Sequence, residues 1–118
     1  MDTVTRGKMA EDAAVQYLEQ QGYRILERNF RTNLGELDII AEHEGYLVFI
    51  EVRSRKGERF GLPQETVNWA KQAKVRRMAA QYLKLTAGWK RSCRFDVVGV
   101  LFADNDEIKF IELIRDAF

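Results

Sequence analysis

The stretch Gly35-Glu36-Leu37-Asp38-Ile39-Ile40-Ala41-Glu42-His43-Glu44-Gly45-Tyr46-Leu47-Val48-Phe49-Ile50-Glu51-Val52-Arg53 decides how this chain folds. Two apolar runs, Leu37 to Glu42 and Tyr46 to Arg53, flank Glu44-Gly45, a turn signal. Paired as a hairpin, they bring Asp38 toward Glu51. Side chains alternate along a strand, so Leu47, Phe49, Glu51 and Arg53 share one face and Val48, Ile50 and Val52 the other. Both faces are largely apolar, which predicts a central strand covered on each side.

Outward from the hairpin, the period changes. From about Gly7 to Gln21 the apolar residues Ala10, Ala13, Ala14, Tyr17 and Leu18 follow helical spacing, and Gly22 supplies a C-terminal stop. Glu11 falls between Val15 and Leu18 on the helical wheel, beside the apolar stripe. A carboxylate there is costly unless it is paired or holds a metal. Tyr23 to Phe30 reads as a strand of mixed polarity. Ser54 to Pro63 reads as a basic, glycine-containing loop. A second helix is predicted from about Asn68 to Thr86, with Val75, Met78, Ala79, Tyr82 and Leu83 inward and Lys74, Arg77, Gln81 and Lys84 on another face. Arg94 to Phe102 and Ile108 to Ile114 form a last strand pair around Asp104-Asn105-Asp106. The order α-β-β-β-α-β-β predicts an α/β fold, a mixed central sheet flanked by helices.

Length and composition narrow the classes. A chain of 118 residues with 46% hydrophobic content is expected to form one domain, spanning 1–118, with a real core. No continuous apolar run approaches the length of a membrane span, and Met1 to Gly22 lacks a secretory apolar region, so no membrane partner is expected. The single cysteine, Cys93, has no internal disulfide partner, which fits a reducing cytoplasm. With His43 as the single histidine, a zinc site built on Cys and His is excluded.

The net charge of +1 conceals a block asymmetry. Val52 to Arg94 holds twelve basic residues and two acids, a net +10, and the remainder of the chain carries −9. Such a block favours a polyanion such as nucleic acid for one surface, against the plainer reading of a solvated helix and loop. Asp38 and Glu51, joined by Glu11 from the first helix and with Arg53 alongside, form a carboxylate cluster beside a cation. That is the pattern of a divalent-metal site acting on phosphate, because hard oxygen ligands suit Mg²⁺. Close carboxylates repel, so at least one is expected to hold its proton unusually tightly without metal. Singly, each residue has a structural explanation: Glu11 paired with Lys8, Asp38 capping a turn, Glu51 paired with Arg53. Asp96, within an apolar run, reads as structural. His43 reads as solvated beside the hairpin turn, and Trp69 and Trp89 as core or dimer packing.

Gly7 to Glu11, Gly35-Glu36-Leu37-Asp38, Glu51-Val52-Arg53 and the basic helix after Lys71 together resemble the YraN-type family. That bacterial group is similar to archaeal Holliday-junction resolvases within the PD-(D/E)xK nuclease superfamily. The resemblance spans about Gly7 to Val100. It implies a restriction-endonuclease-like core and a Mg²⁺-dependent endonuclease, with Mn²⁺ as a substitute, acting on DNA that includes branched forms such as Holliday junctions. It also implies that Asp38 and Glu51 ligate metal and that Glu11 matches the additional glutamate of the resolvase-like members. Arg53 stands where the pattern has lysine, and Leu37 where the motif's name has proline. Arginine keeps its charge and offers a planar fork, so the replacement alters or weakens catalysis. The expected nucleic-acid contacts are Arg55, Lys56, Arg59, Gln64, Lys71, Lys74, Arg77 and Lys84. A two-fold homodimer would suit a symmetric junction. Two other readings remain open: a non-catalytic nucleic-acid-binding module with a degenerate nuclease site, and a scaffold whose basic face meets an acidic protein.

Overall fold

A computed structural model describes residues 1–57, 66–86, 88 and 90–118. Among these residues it has an α/β architecture of two α-helices and a five-stranded mixed sheet, consistent with a restriction-endonuclease-like core. The elements run α1 (Thr3–Gln20), β1 (Arg24–Thr32), β2 (Gly35–His43), β3 (Tyr46–Lys56), α2 (Trp69–Thr86), β4 (Cys93–Phe102) and β5 (Ile108–Ile114). The strands lie side by side in chain order. The first three are linked antiparallel, β3 and β4 are parallel across the α2 crossover, and β5 returns antiparallel.

Local rules place the elements that carry the site. Asp2 caps α1 by accepting the Thr5 N–H at 2.7 Å, so the helix begins at Thr3, ahead of the predicted start near Gly7. At its other end, Gly22 takes a positive φ of 90°. The Tyr23 N–H then bonds Leu18 C=O and the Gly22 N–H bonds Glu19 C=O, a Schellman closure. Between β2 and β3, Glu44 and Gly45 both have positive φ, as a tight hairpin turn with the right twist demands. Asn68 caps α2 through its side chain, which accepts the Lys71 N–H at 2.9 Å.

The predicted two-sided covering of β3 holds. Val48 and Ile50 pack with Ala10, Ala14 and Leu18 of α1, while Leu47 and Phe49 pack with Val75, Met78 and Tyr82 of α2. Three sequence expectations need correction. Ser54 to Lys56 is not loop but the end of β3, held by parallel pairing with Val100 to Phe102. His43 is buried, not solvated: its ring stacks on Tyr23 with centroids 4.0 Å apart, at the close of β2. Trp69, the first residue of α2, is 82% exposed, which removes the core from its two readings, core or dimer packing. Trp89 and most of the predicted Ser54–Pro63 loop lie outside the described residues.

Candidate active site

Two neighbouring strands part company in the middle of the sheet, and the carboxylates fill the fork. Pairing between β2 and β3 runs from His43↔Tyr46 to Ile39↔Ile50 and stops there. Beyond that point β2 stays with β1, and β3 stays with β4. The backbone N–H groups exposed by the split need acceptors. Asp38 supplies one: its Oδ2 accepts the Val52 N–H at 2.8 Å. Glu51 faces back across the gap, with its Oε2 3.5 Å from the Asp38 nitrogen. The sequence expectation that these two residues converge is met.

Glu51 is only 1% exposed, on the α2 side of the sheet. Its charged partner is Lys71 of α2, whose Nζ lies 3.1 Å from Oε1. The plainer alternative, an ion pair of Glu51 with Arg53, is not what forms: Arg53 donates from Nε to Thr66 Oγ1 at 2.8 Å. Asp38 bears the electrostatic cost. Burial first, then the charge on Glu51, push its carboxyl up to about 7; Glu11 adds to the rise, while the Val52 N–H and Lys71 oppose it.

Glu11 approaches from α1, on the other side of the sheet. Its Oε1 accepts from Arg28 Nε and Asn29 Nδ2, each at 3.0 Å, and Arg28 also pairs with Asp12 at 2.6 Å. Lys8 is thus not its partner. Asn29 sits opposite Asp38 in the β1–β2 register and has a φ of 55°, a left-handed conformation that asparagine tolerates better than most residues. That kink aims its amide at Glu11. Among the described residues, no three carboxylates come close enough to chelate one ion. The tight pair is Asp38 with Glu51, and Glu11 acts on it through charge.

The remaining predicted contacts separate into two groups. Lys74, Arg77 and Lys84 are exposed on α2, as the wheel predicts. The stem of Lys74 lies over Gly35, where an added Cβ would meet its Cδ at 3.6 Å. Arg55 is half-buried on β3, and Lys56 is tied to Asp106 by a 2.9 Å ion pair at the β4–β5 turn. Arg59 and Gln64 lie outside the described residues. A groove of about 430 Å³ runs between the β1–β2 turn and α2, lined by Arg31, Asn33, Gln81 and Lys84 among others. Gln81 donates to Asn33 Oδ1 at 3.0 Å across it.

Sequence reasoning missed Arg28, Asn29 and Thr66 as supports of the site. Their contacts join distant segments, and no local period marks them. Asp96 meets its structural expectation. It is fully buried and accepts from Arg94 Nε at 2.9 Å, from Tyr23 Oη at 2.6 Å and from the Asp116 N–H at 3.0 Å.

The fold and site define an α/β protein with a carboxylate pair, buried Glu51 and half-buried Asp38, at a strand fork beside a basic helix. The chain matches the uncharacterised protein family UPF0102 over residues 10–100. It is 48% identical over 113 residues to a UPF0102 protein of Desulforamulus reducens, covering 94% of this chain and 93% of the relative. It is also 48% identical over 113 residues to one of Moorella thermoacetica (96% and 94%), and 46% identical over 112 residues to one of Pelotomaculum thermopropionicum (95% and 93%). The chain belongs to the UPF0102 family, the YraN-type group of the sequence reading. No helix among the described residues is long and apolar enough to cross a membrane.

Proposed function

We propose that the chain is a metal-dependent endonuclease of the PD-(D/E)xK type that hydrolyses phosphodiesters in DNA, with branched DNA such as Holliday junctions among its substrates. One observation carries this reading. Asp38 and Glu51 are adjacent acidic groups, one half-buried and one fully buried, with one lysine paired to Glu51 and the cost of charge falling on Asp38. A divalent cation would relieve that repulsion, and the hard carboxylate oxygens suit Mg²⁺ or Mn²⁺.

When bound, such an ion supplies an activated water and neutralises phosphate charge. The chain's own residues orient and bind. The Val52 N–H fixes the Asp38 carboxylate, and packing of β3 between the helices fixes Glu51. Glu11, held by Arg28 and Asn29, adds negative charge from α1 and strengthens the attraction for a cation. Arg53 projects from the same strand face as Glu51 and offers a guanidinium to phosphate. Lys74, Arg77 and Lys84 grip the backbone of the nucleic acid, with the groove past Gln81 extending that track. Contacts of this kind give affinity and salt dependence without reading base sequence. A two-fold dimer of this chain would match the symmetry of a four-way junction.

Arg53 in the lysine position favours a second reading, a nucleic-acid-binding module whose nuclease site has degenerated. Cleavage assays on supercoiled and four-way DNA separate the two. The endonuclease nicks in Mg²⁺, and Glu51→Ala abolishes nicking while binding persists. Binding with no cleavage in Mg²⁺ or Mn²⁺ at any enzyme excess would replace the enzyme with the module.

A further inference from the structure

We propose that Lys71 is the catalytic ammonium of this site, holding Glu51 when no metal is bound and the scissile phosphate when metal and DNA are present. The inference rests on the endonuclease reading above and goes beyond it by assigning the ammonium that stands in for the motif lysine, which Arg53, a guanidinium, does not supply. Lys71 lies in the first turn of α2, far from Glu51 in sequence, yet its Nζ touches Glu51 Oε1 at 3.1 Å. The contact is built from the backbone upward. Asn68 accepts the Lys71 N–H at 2.9 Å, and Gln72 donates back to Val67 C=O at 2.9 Å. Val67 is 1% exposed, so the start of α2 is anchored in packed structure. The Lys71 backbone is therefore fixed while its four-carbon stem keeps its freedom.

Arg53 is placed differently. Its Nε is engaged by Thr66 Oγ1 at 2.8 Å, and a guanidinium is broad and planar. An ammonium is compact and has three donors that can turn from one oxygen to another. Glu51 cannot serve Lys71 and a divalent cation fully at once. A metal held by Asp38 and Glu51 would take the Glu51 oxygens and free the Lys71 ammonium to turn to a phosphate bound there. A preformed cation there stabilises charge that builds on the non-bridging oxygens during hydrolysis. Lys74, by contrast, lies over Gly35 and is a backbone contact only.

Lysine relocation tests the assignment. Lys71→Ala and Lys71→Gln should lower single-turnover cleavage at saturating DNA by about 100-fold, while the Kd for DNA moves less than about threefold. The double variant Lys71→Ala with Arg53→Lys should regain at least about tenfold of that rate, because it returns an ammonium to the Glu51 face of β3. Calorimetric titration with Mg²⁺ alone gives a readout independent of cleavage. Both single variants should bind Mg²⁺ about three- to tenfold more tightly than wild type, having lost the competing ammonium. Melting temperatures of all variants establish that they are folded. The assignment is overturned by cleavage at the wild-type rate in Lys71→Gln, by a loss confined to Kd, or by a double variant no faster than Lys71→Ala. If wild type itself cleaves no DNA in either metal, the endonuclease reading fails and this one fails with it. If wild type cleaves and Lys71→Gln matches it, only the role of Lys71 is lost.

Discussion

Two acidic clusters lie on neighbouring strands of the sheet, and they are solved in opposite ways. Asp96 is buried on the α1 face of β4; Glu51 is buried on the α2 face of β3, with half-buried Asp38 of β2 beside it. On the α1 face, Asp96 accepts from Nε and Nη2 of Arg94, from the Tyr23 hydroxyl and from the Asp116 N–H. Arg94 also donates to His43 Nδ1 at 2.9 Å, and burial holds His43 below its ordinary pKa, so it accepts as a neutral ring. One negative charge meets one positive charge, and the donors and acceptors are matched. On the α2 face, Asp38 and Glu51 bring two carboxylates to one lysine. The first cluster is complete as it stands. The second leaves two carboxylates beside a single ammonium. A balanced buried network is a structural device, and an unbalanced one at a strand fork carries the binding proposal made above.

The largest expected effect breaks the balanced side. Arg94→Met leaves Asp96 buried beside Tyr23 with no countercharge, and should cost about 3–5 kcal/mol in urea denaturation. A loss below about 1 kcal/mol would show that the network is not closed in the way described.

The unbalanced side should respond with the opposite sign. Asp38 titrates in the folded chain at about 7, above its ordinary 3.8, so between about pH 4 and pH 7 the folded state holds a proton that the unfolded state has released. Stability must then fall as pH rises through that window. The fall attributable to Asp38 should be about 2–4 kcal/mol, and Asp38→Asn should remove it. An unchanged pH slope in Asp38→Asn would mean that the pair is not strained. Millimolar Mg²⁺ at pH 8 should restore part of the loss in wild type, by about 1–3 kcal/mol near saturation, and should leave Asp38→Asn unmoved.

The smallest effect belongs to neither cluster. Trp69→Ala should change stability by less than about 0.5 kcal/mol, since the side chain stands in solvent. A larger cost would place Trp69 in an interface between copies of this chain.

The central hairpin was legible because three local signals agree on it: the Glu44-Gly45 turn, the two-residue alternation and the apolar content of both faces. That alternation put Glu51 and Arg53 on one side, and the turn set the register that carries Asp38 toward Glu51. The partners of these residues were not legible. Lys71 reaches Glu51, Arg28 and Asn29 reach Glu11, and Arg53 reaches Thr66 only once helices and strands have packed. Charge counting treated Val52 to Arg94 as one basic surface. The fold spends Lys56 on Asp106, Arg91 on Glu42 and Arg94 on Asp96, and it lays Arg76 over Phe95. Lys74, Arg77 and Lys84 remain exposed on α2. His43 misled because histidine beside a turn is usually wet, whereas here Tyr23 and Arg94 close over it.

Isothermal titration of the metal-free protein with Mg²⁺ and Mn²⁺, on wild type and Asp38→Ala, addresses the carboxylate pair most directly. The account predicts one saturable binding event per chain in wild type and its disappearance in the variant. Heat with no saturable signature in wild type, or identical binding by Asp38→Ala, would contradict it.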